Sequence, residues 1–323
     1  MAVPVLGIDI GKSKFHVALI AGGKTRNKAC QNSKSGFEEL LSWLAKQGAE
    51  QVHACMEATG SYGDALATTL FEEGHRVSVI NPSRIKGFAQ SEMTRTKTDD
   101  VDAGIIARFC LAMDPEPWAP APPEVRQLMA LVRRLDDLME IRQMEQNRLA
   151  TCIESPEVEG SMQKILADVG EEIRRTERLI REHFDQHSGL KADRDLLMSI
   201  PGIGERTASI LLAEFRDTSR FPSARQLAAF CGLTPRQRLS GTSVRGRPRF
   251  SKIGSRRLRA ALYMPAMAAI RVNPIVRSLW ERLIADGKPK MAAIGAAMRK
   301  LVHLAYGVLK TGKPFDPDFA LVR

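Results

Sequence analysis

From Thr218 to Trp280 the chain contains no aspartate and no glutamate, against twelve arginines and one lysine. A solvated helical face normally mixes both signs. An acid-free stretch this long repels itself unless a polyanion neutralises it. The preference for arginine over lysine suits forked contacts to phosphates or base edges. Other absences narrow the class further. No apolar run approaches the roughly 20 residues of a membrane span. The basic stretch is broken by Gly and Pro and lacks an amphipathic helix with aromatic anchors, which argues against a membrane-surface role. The first charged residue, Asp9, comes too early for a secretory apolar core, so a cytoplasmic location is expected. The five cysteines, Cys30, Cys55, Cys110, Cys152 and Cys231, include no CxxC pair. That excludes a zinc knuckle or a disulfide framework and leaves small buried thiols.

The net charge of +11 is unevenly shared over the 323 residues. Residues 191–323 hold 25 Lys+Arg against 9 Asp+Glu, a net of +16, whereas residues 1–190 carry a net of −5. The length suggests two or three domains, each able to bury a core. Residues 1–123 are expected to form one domain, 124–190 a helical connector and 191–323 a basic domain.

The first of these reads as strand-rich. Residues 3–10, 15–20, 52–57 and 77–80 are apolar or β-branched runs that read as strands, and 26–31 is a candidate third strand after the first two. Phe37, Leu40, Leu41 and Leu44 mark a helix by their spacing. A helix follows Gly60, and another runs from about Asp99 to Met113. Strands first, then strand and helix in alternation, predict an α/β mixed sheet of the RNase H-like kind. The five prolines in 114–123 predict an extended connector. Leu128, Leu131, Leu135 and Leu138 then open a coiled-coil-like stripe, which Leu166, Val169, Ile173 and Ile180 resume. The basic part is expected to be mostly helical, with a loop from Thr234 to Ile253.

Acids stand where apolar residues are expected. Asp9 lies inside the first strand and Glu57 at the end of the fourth, positions costly for a carboxylate without a partner or a metal. Asp99 and Asp102 are three residues apart in the first turn of a helix and share a face. Capping and the helix dipole would explain Asp99 alone, but not two further acids on strands. Four such carboxylates suit a hard divalent cation, Mg²⁺ or Mn²⁺, of the type that serves phosphodiester chemistry. Asp100 is an ambiguous neighbour. GIDIGKS also resembles the first phosphate motif of actin-like ATPases and sugar kinases, but no second phosphate or adenosine segment follows.

In the basic part, LLMSIPGIGERTASILLAEF (196–215) resembles a helix-hairpin-helix DNA-binding element. Gly202 and Gly204 permit the tight hairpin, and the amides of the next helix can receive a phosphate. Arg236, Arg238, Arg245, Arg247, Arg249, Lys252, Arg256 and Arg257 are further candidate nucleic-acid contacts. Ser240 stands among these arginines. Taken alone, it and Thr242 and Ser243 are phosphate hydrogen-bonders more readily than nucleophiles, since a hydroxyl needs activation.

GIDIGKSKFHV, MEATGSYGDALA, VINPSRIKGFAQSEMTRTKTDDVDA, IPGIGERTASILLAEF, AAFCGLTPRQRLSGTSVRG and RALYMPAMAA occur in that order. Together they resemble the IS110 insertion-sequence transposases, the DEDD transposases also described as bridge-RNA-guided serine recombinases. The resemblance implies a RuvC-like catalytic domain over 1–123, a coiled-coil connector and a C-terminal transposase domain. It implies that Asp9, Glu57, Asp99 and Asp102 are the DEDD acids and that Ser240 is the nucleophile. It further implies donor and target DNA and a structured guide RNA as partners. The protein would act as a homo-oligomer, dimer or tetramer, at the bacterial nucleoid, with acids and serine meeting from different subunits. Two other readings fit the residues: a junction-resolving endonuclease that uses water, and a nucleic-acid-binding protein with an inactive acid site.

Overall fold

The computed structural model describes residues 3–58, 60–93, 98–151, 155–215, 217–240, 244–251 and 253–318, with backbone alone at 61, 237–240 and 244–249. The chain divides into two compact units, Met1–Pro120 and Ala121–Arg323.

The first unit is built on a five-stranded sheet in the order β3-β2-β1-β4-β5. Strands β1 (Val5–Ile10), β2 (Lys14–Ala21) and β3 (Lys24–Gln31) form an antiparallel meander. β4 (His53–Glu57) joins β1 in parallel, and β5 (Arg76–Ile80) joins β4 in parallel. Alternation along each strand sends successive residues to opposite faces. On one face Leu6, Ile8, Val17, Leu19 and Met56 pack with helices α1 (Lys34–Lys46) and α2 (Asp64–Glu72). On the other, Val5, Ala18, Cys55 and Ile80 pack with α3 (Pro82–Ser91) and α4 (Asp99–Met113). This mixed sheet bears out the α/β expectation. Helix α3 was not foreseen. Asn81-Pro82 reads as a strand terminator, yet Asn81 caps the helix by accepting from Ser83 N, and Pro82 sits in its first turn. The proline-rich run is extended beside β5: Trp118 N donates to Val77 O and Ser78 Oγ to Glu116 O.

Close approach of α4 to β1 sets the register of this layer. A Cβ on Gly7 would lie 2.2 Å from both Ala103 O and Ala107 N. Only a glycine lets the helix backbone rest on the strand at that point.

Among its described residues the second unit is mostly helical, as its sequence predicts. Helices α5 (Pro123–Ala150) and α6 (Pro156–Gln186) pack against each other. Leu128, Leu135, Leu138, Ile173 and Ile180 from these two share one buried cluster with the helices that follow. Those are α7 (Ser188–Met198), α8 (Glu205–Phe215), α9 (Ala224–Phe230), α10 (Arg256–Ala261), α11 (Tyr263–Val272), α12 (Pro274–Ala285) and α13 (Lys290–Thr311). The expected loop after Thr234 is instead a two-stranded ribbon, β6 (Pro235–Ser240) with β7 (Val244–Phe250).

Gly7→Ala should destabilise the protein by about 3 kcal/mol, because strand or helix backbone must shift to admit the methyl group. Gly87→Ala is the control. It lies inside α3, with nothing within 4 Å of the added Cβ, so it should be neutral or slightly stabilising. Urea unfolding of the full chain checks both.

Candidate active site

Glu57 ends β4 and Asp9 is the last residue but one of β1, its parallel neighbour. Gly7 pairs with Cys55 and Ile8 with Met56, which sets the two acids side by side at the next step. Both share a face with Gly7 and Cys55, the face that carries α4. Their half-buried positions fit acids at a sheet edge rather than solvated surface groups.

The N-terminus of α4 comes to the same place. Thr98 caps it by accepting from Val101 N at 3.3 Å, and Asp99, Asp100 and Asp102 occupy the first turn. One turn further on are Ala103 and Ala107, the residues seated on Gly7. The contact that admits the helix therefore also aims its acid-bearing end at β1. Asp102 is half-buried, while Asp99 and Asp100 are exposed.

His16 was missed in the sequence. It stands on β2 directly across from Asp9. Its Nδ1 lies 2.8 Å from Asp100 Oδ1 and its Nε2 3.4 Å from Asp99 Oδ2. A carboxylate accepts only, so Nδ1–H donates to Asp100. A signal did exist: the tight turn closed by Gly11 N→Lys14 O determines that residue 16 opposes residue 9. Asn32 braces that turn, donating from Nδ2 to Gly11 O and to Tyr62 O.

Among the described residues, no three His, Cys, Asp or Glu side chains are gathered closely enough to hold a metal ion. The donor chemistry nevertheless fits a hard divalent cation, since Asp9, Glu57, Asp99 and Asp102 offer oxygen alone. Four of the cysteines are buried, as expected, and Cys152 falls outside the described residues. Two of them, Cys55 and Cys110, meet behind the acids: the hydrogen bond with Cys55 lowers the Cys110 thiol below its ordinary range, burial opposes this, and His53 lowers it further.

The basic residues are placed in the second unit. Between α7 and α8 the backbone turns through Gly202 at φ +104°, packed so closely on Ala269 that a Cβ would approach it to 2.7 Å. Gly204 is different: nothing lies within 4 Å of an added Cβ, and it is exposed at the start of α8. Buried Asn273 holds this turn, donating from Nδ2 to Pro201 O while Oδ1 caps α12.

The ribbon is clamped at its base. Gly254, at φ +125°, fits against the carbonyls of Ala229 and Phe230, Ser251 N donates to Thr234 O, and Phe250 packs on Gly295. Arg236 pairs with Arg249, Arg238 with Gly246 and Leu239 with Arg245; a register shift between Arg236 and Arg238 spans Arg247 and Pro248 on β7. Proline gives no ladder donor and is at home in such a bulge. Like charges on directly opposed residues destabilise a two-stranded ribbon. Ser240, expected in a flexible loop, is the last residue of β6 and opposes Val244. Thr242, Ser243 and Lys252 lie outside the described residues.

Arg256 is exposed, but Arg257 is already engaged. Its Nη2 lies 2.7 Å from Asp136 Oδ2 and its Nη1 2.9 Å from Glu214 Oε1. These bonds tie α10 to α5 and α8.

A family profile for the DEDD transposases of IS110, described as a transposase, matches residues 6–155. A second, for the transposase IS116/IS110/IS902 family, matches residues 194–281. The chain is 32% identical over 98% of its length to the pilin gene-inverting protein of Moraxella bovis, 98% of which is covered. It is 27% identical to the transposase for insertion sequence element IS1328 of Yersinia enterocolitica, over 80% of this chain and 82% of that one. The transposase for IS1111A of Coxiella burnetii is 25% identical over 95% and 90%.

The two arginines should separate on substitution. Arg257→Ala should cost on the order of 2 kcal/mol of stability, since it strips charged partners from Asp136 and Glu214. Arg236→Ala should leave stability unchanged, weaken DNA binding and lower the log–log salt slope by about 1. Denaturant titration and binding measured at several salt concentrations make the comparison.

Proposed function

This chain belongs to the IS110 family of transposases, and from that premise we propose that its DNA cutting and rejoining combine a cation-binding DEDD set with a serine nucleophile. The observation that supports the reading is the parallel β1–β4 pair, which carries Asp9 and Glu57 on the sheet face that packs α4, together with Asp99 and Asp102 in the first turn of that helix. The strand order, a three-stranded meander followed by two parallel strands, supports an RNase H-like, RuvC-like unit. Those four acids would hold Mg²⁺ or Mn²⁺. Such an ion supplies charge stabilisation to a phosphodiester oxygen.

The chain's own residues do the rest. The arginines of β6 and β7 receive phosphates and hold the backbone in place. Ser240 Oγ attacks phosphorus; the bond to the deoxyribose oxygen breaks, and the serine proton ends on that leaving oxygen. The phosphoserine ester keeps the bond energy, so a second hydroxyl can displace Ser240 and reseal the strand. The neighbouring arginines stabilise the crowded phosphate. One relative is named for inverting a gene, and an inverted segment must be rejoined, which favours this reading over a water-using junction nuclease. The exposed Gly204 at the start of α8 supports backbone gripping by a helix-hairpin-helix element. We read 1–123 as the catalytic domain, 124–190 as the connector and 191–323 as the transposase domain. A structured RNA from the element guides the choice of DNA, and the acids and serine of different copies act together in a dimer or tetramer.

Ser240→Ala should bind DNA normally yet form no covalent protein–DNA adduct and no recombinant, whereas Ser243→Ala keeps both. Denaturing electrophoresis of end-labelled DNA, before and after protease, is the assay; cleavage by Ser240→Ala at the wild-type rate would overturn the serine mechanism. Asp9→Asn, Glu57→Gln, Asp99→Asn and Asp102→Asn should each abolish strand exchange while binding survives. That binding should weaken steeply with salt, each neutralised phosphate adding a slope of roughly −0.9 on duplex DNA.

A further inference from the structure

Three residues in the first turn of α4, Asp99, Asp100 and Asp102, could offer a carboxylate to the β1–β4 site, and they are not equivalent. Helical geometry puts Asp99 and Asp102 on one face and turns Asp100 by about 100° from its neighbour. Asp100 is bound to His16: Nδ1 to Oδ1 is 2.8 Å, against 3.4 Å from Nε2 to Asp99. His16 is about a quarter exposed, and it is anchored on β2 opposite Asp9. Its ring therefore bridges the strand that backs Asp9 and the helix that carries the other acids.

We propose that His16 and Asp100 form a positioning pair, which docks the first turn of α4 onto the β1–β2 strands and leaves Asp99 and Asp102 to face the cation. This rests on the reading of Asp9, Glu57, Asp99 and Asp102 as cation ligands. The pair does so for a geometric reason. Gly7 secures α4 at Ala103 and Ala107, about one turn beyond the acids. The end of the helix itself is held by its Thr98 cap and by His16. A frayed first turn would leave the Asp99 and Asp102 carboxylates scattered over several positions. Groups that orient ligands without touching the metal commonly contribute ten- to a hundredfold in affinity.

The test is Mn²⁺ binding by calorimetry on the full chain, with thermal unfolding in parallel. His16→Ala and Asp100→Ala should each weaken Mn²⁺ binding about tenfold, and the double variant should be no weaker than either, since both remove one contact. Asp100→Asn keeps an acceptor for Nδ1–H and should bind nearly as wild type. His16→Asn places an amide nitrogen where Nδ1 stood and should restore affinity, while His16→Gln, which mimics Nε2, should not. A stability role alone would lower the unfolding temperature without this rescue pattern. Asp9→Asn separates the two claims. If it abolishes Mn²⁺ binding while His16→Ala and Asp100→Ala leave it unchanged, the positioning pair is overturned and the cation site stands. If Asp9→Asn binds Mn²⁺ as wild type, the cation-site reading itself is overturned. A loss from Asp100→Asn equal to that from Asp99→Asn would make Asp100 a ligand and also overturn the proposal.

Discussion

Helix α4 rests on strand β1 backbone to backbone, with no side chain between them at Gly7. Much of the first unit's chemistry depends on that contact. It sets the height of the helix over the sheet, and so determines that the acids of its first turn arrive beside the ends of β1 and β4. The apolar residues that follow, Ala103, Ile106, Ala107 and Cys110, bury the rest of the helix against Val5, Ala18 and Cys55. Carboxylates crowd one end of α4 because hydrophobic burial holds its remaining length. Mutual repulsion of the acids opposes this arrangement, and His16 offers one of them a donor.

The second unit solves the opposite electrostatic problem. It carries a large excess of arginine, and it uses part of that charge internally. Arg257 lies between Asp136 and Glu214, and Arg206 joins Asp136 from the other side. Asp136 on α5 is thus a hub for cations from α8 and α10. Other arginines occupy the β6–β7 ribbon, where the register sets Arg236 against Arg249. A two-stranded ribbon has little core of its own. Here its ends are clamped by Gly254, Phe250 and the backbone bonds to Thr234 and Phe230, so the ribbon can carry opposed charges that an isolated hairpin would not tolerate.

Much of this was legible in the residues. Alternating and continuous apolar runs located β1, β2, β4 and β5, whereas β3 is a mostly polar edge strand that no apolar pattern marks. Three- and four-residue periodicity located α1 and the pair α5 and α6. The misses have local causes. Asn81-Pro82 both ends a strand and begins a helix, and composition cannot say which role dominates. The Thr234–Ile253 segment lacks the apolar alternation of a half-buried strand, because arginine occupies alternate places. Its pairing depends on anchors distant in sequence, such as Gly295 under Phe250. Arg256 and Arg257 are neighbours of identical type, and nothing local tells which of them is exposed and which meets Asp136.

The sequence alone determined that acids interrupt apolar strands, that one half is strongly basic and that the first half is a mixed α/β layer. These follow from short-range rules, since side-chain period and charge spacing are written along the chain. Only the tertiary structure decided that β1 and β4 are parallel neighbours, which sets Asp9 next to Glu57 across 47 intervening residues. It also decided that His16 meets Asp100 and that Arg257 turns inward. Those outcomes depend on strand order, on the register set by a turn and on where a glycine lets two backbones touch. Each is a long-range packing choice, made when the whole apolar surface is buried at once, and no window of neighbouring residues contains it.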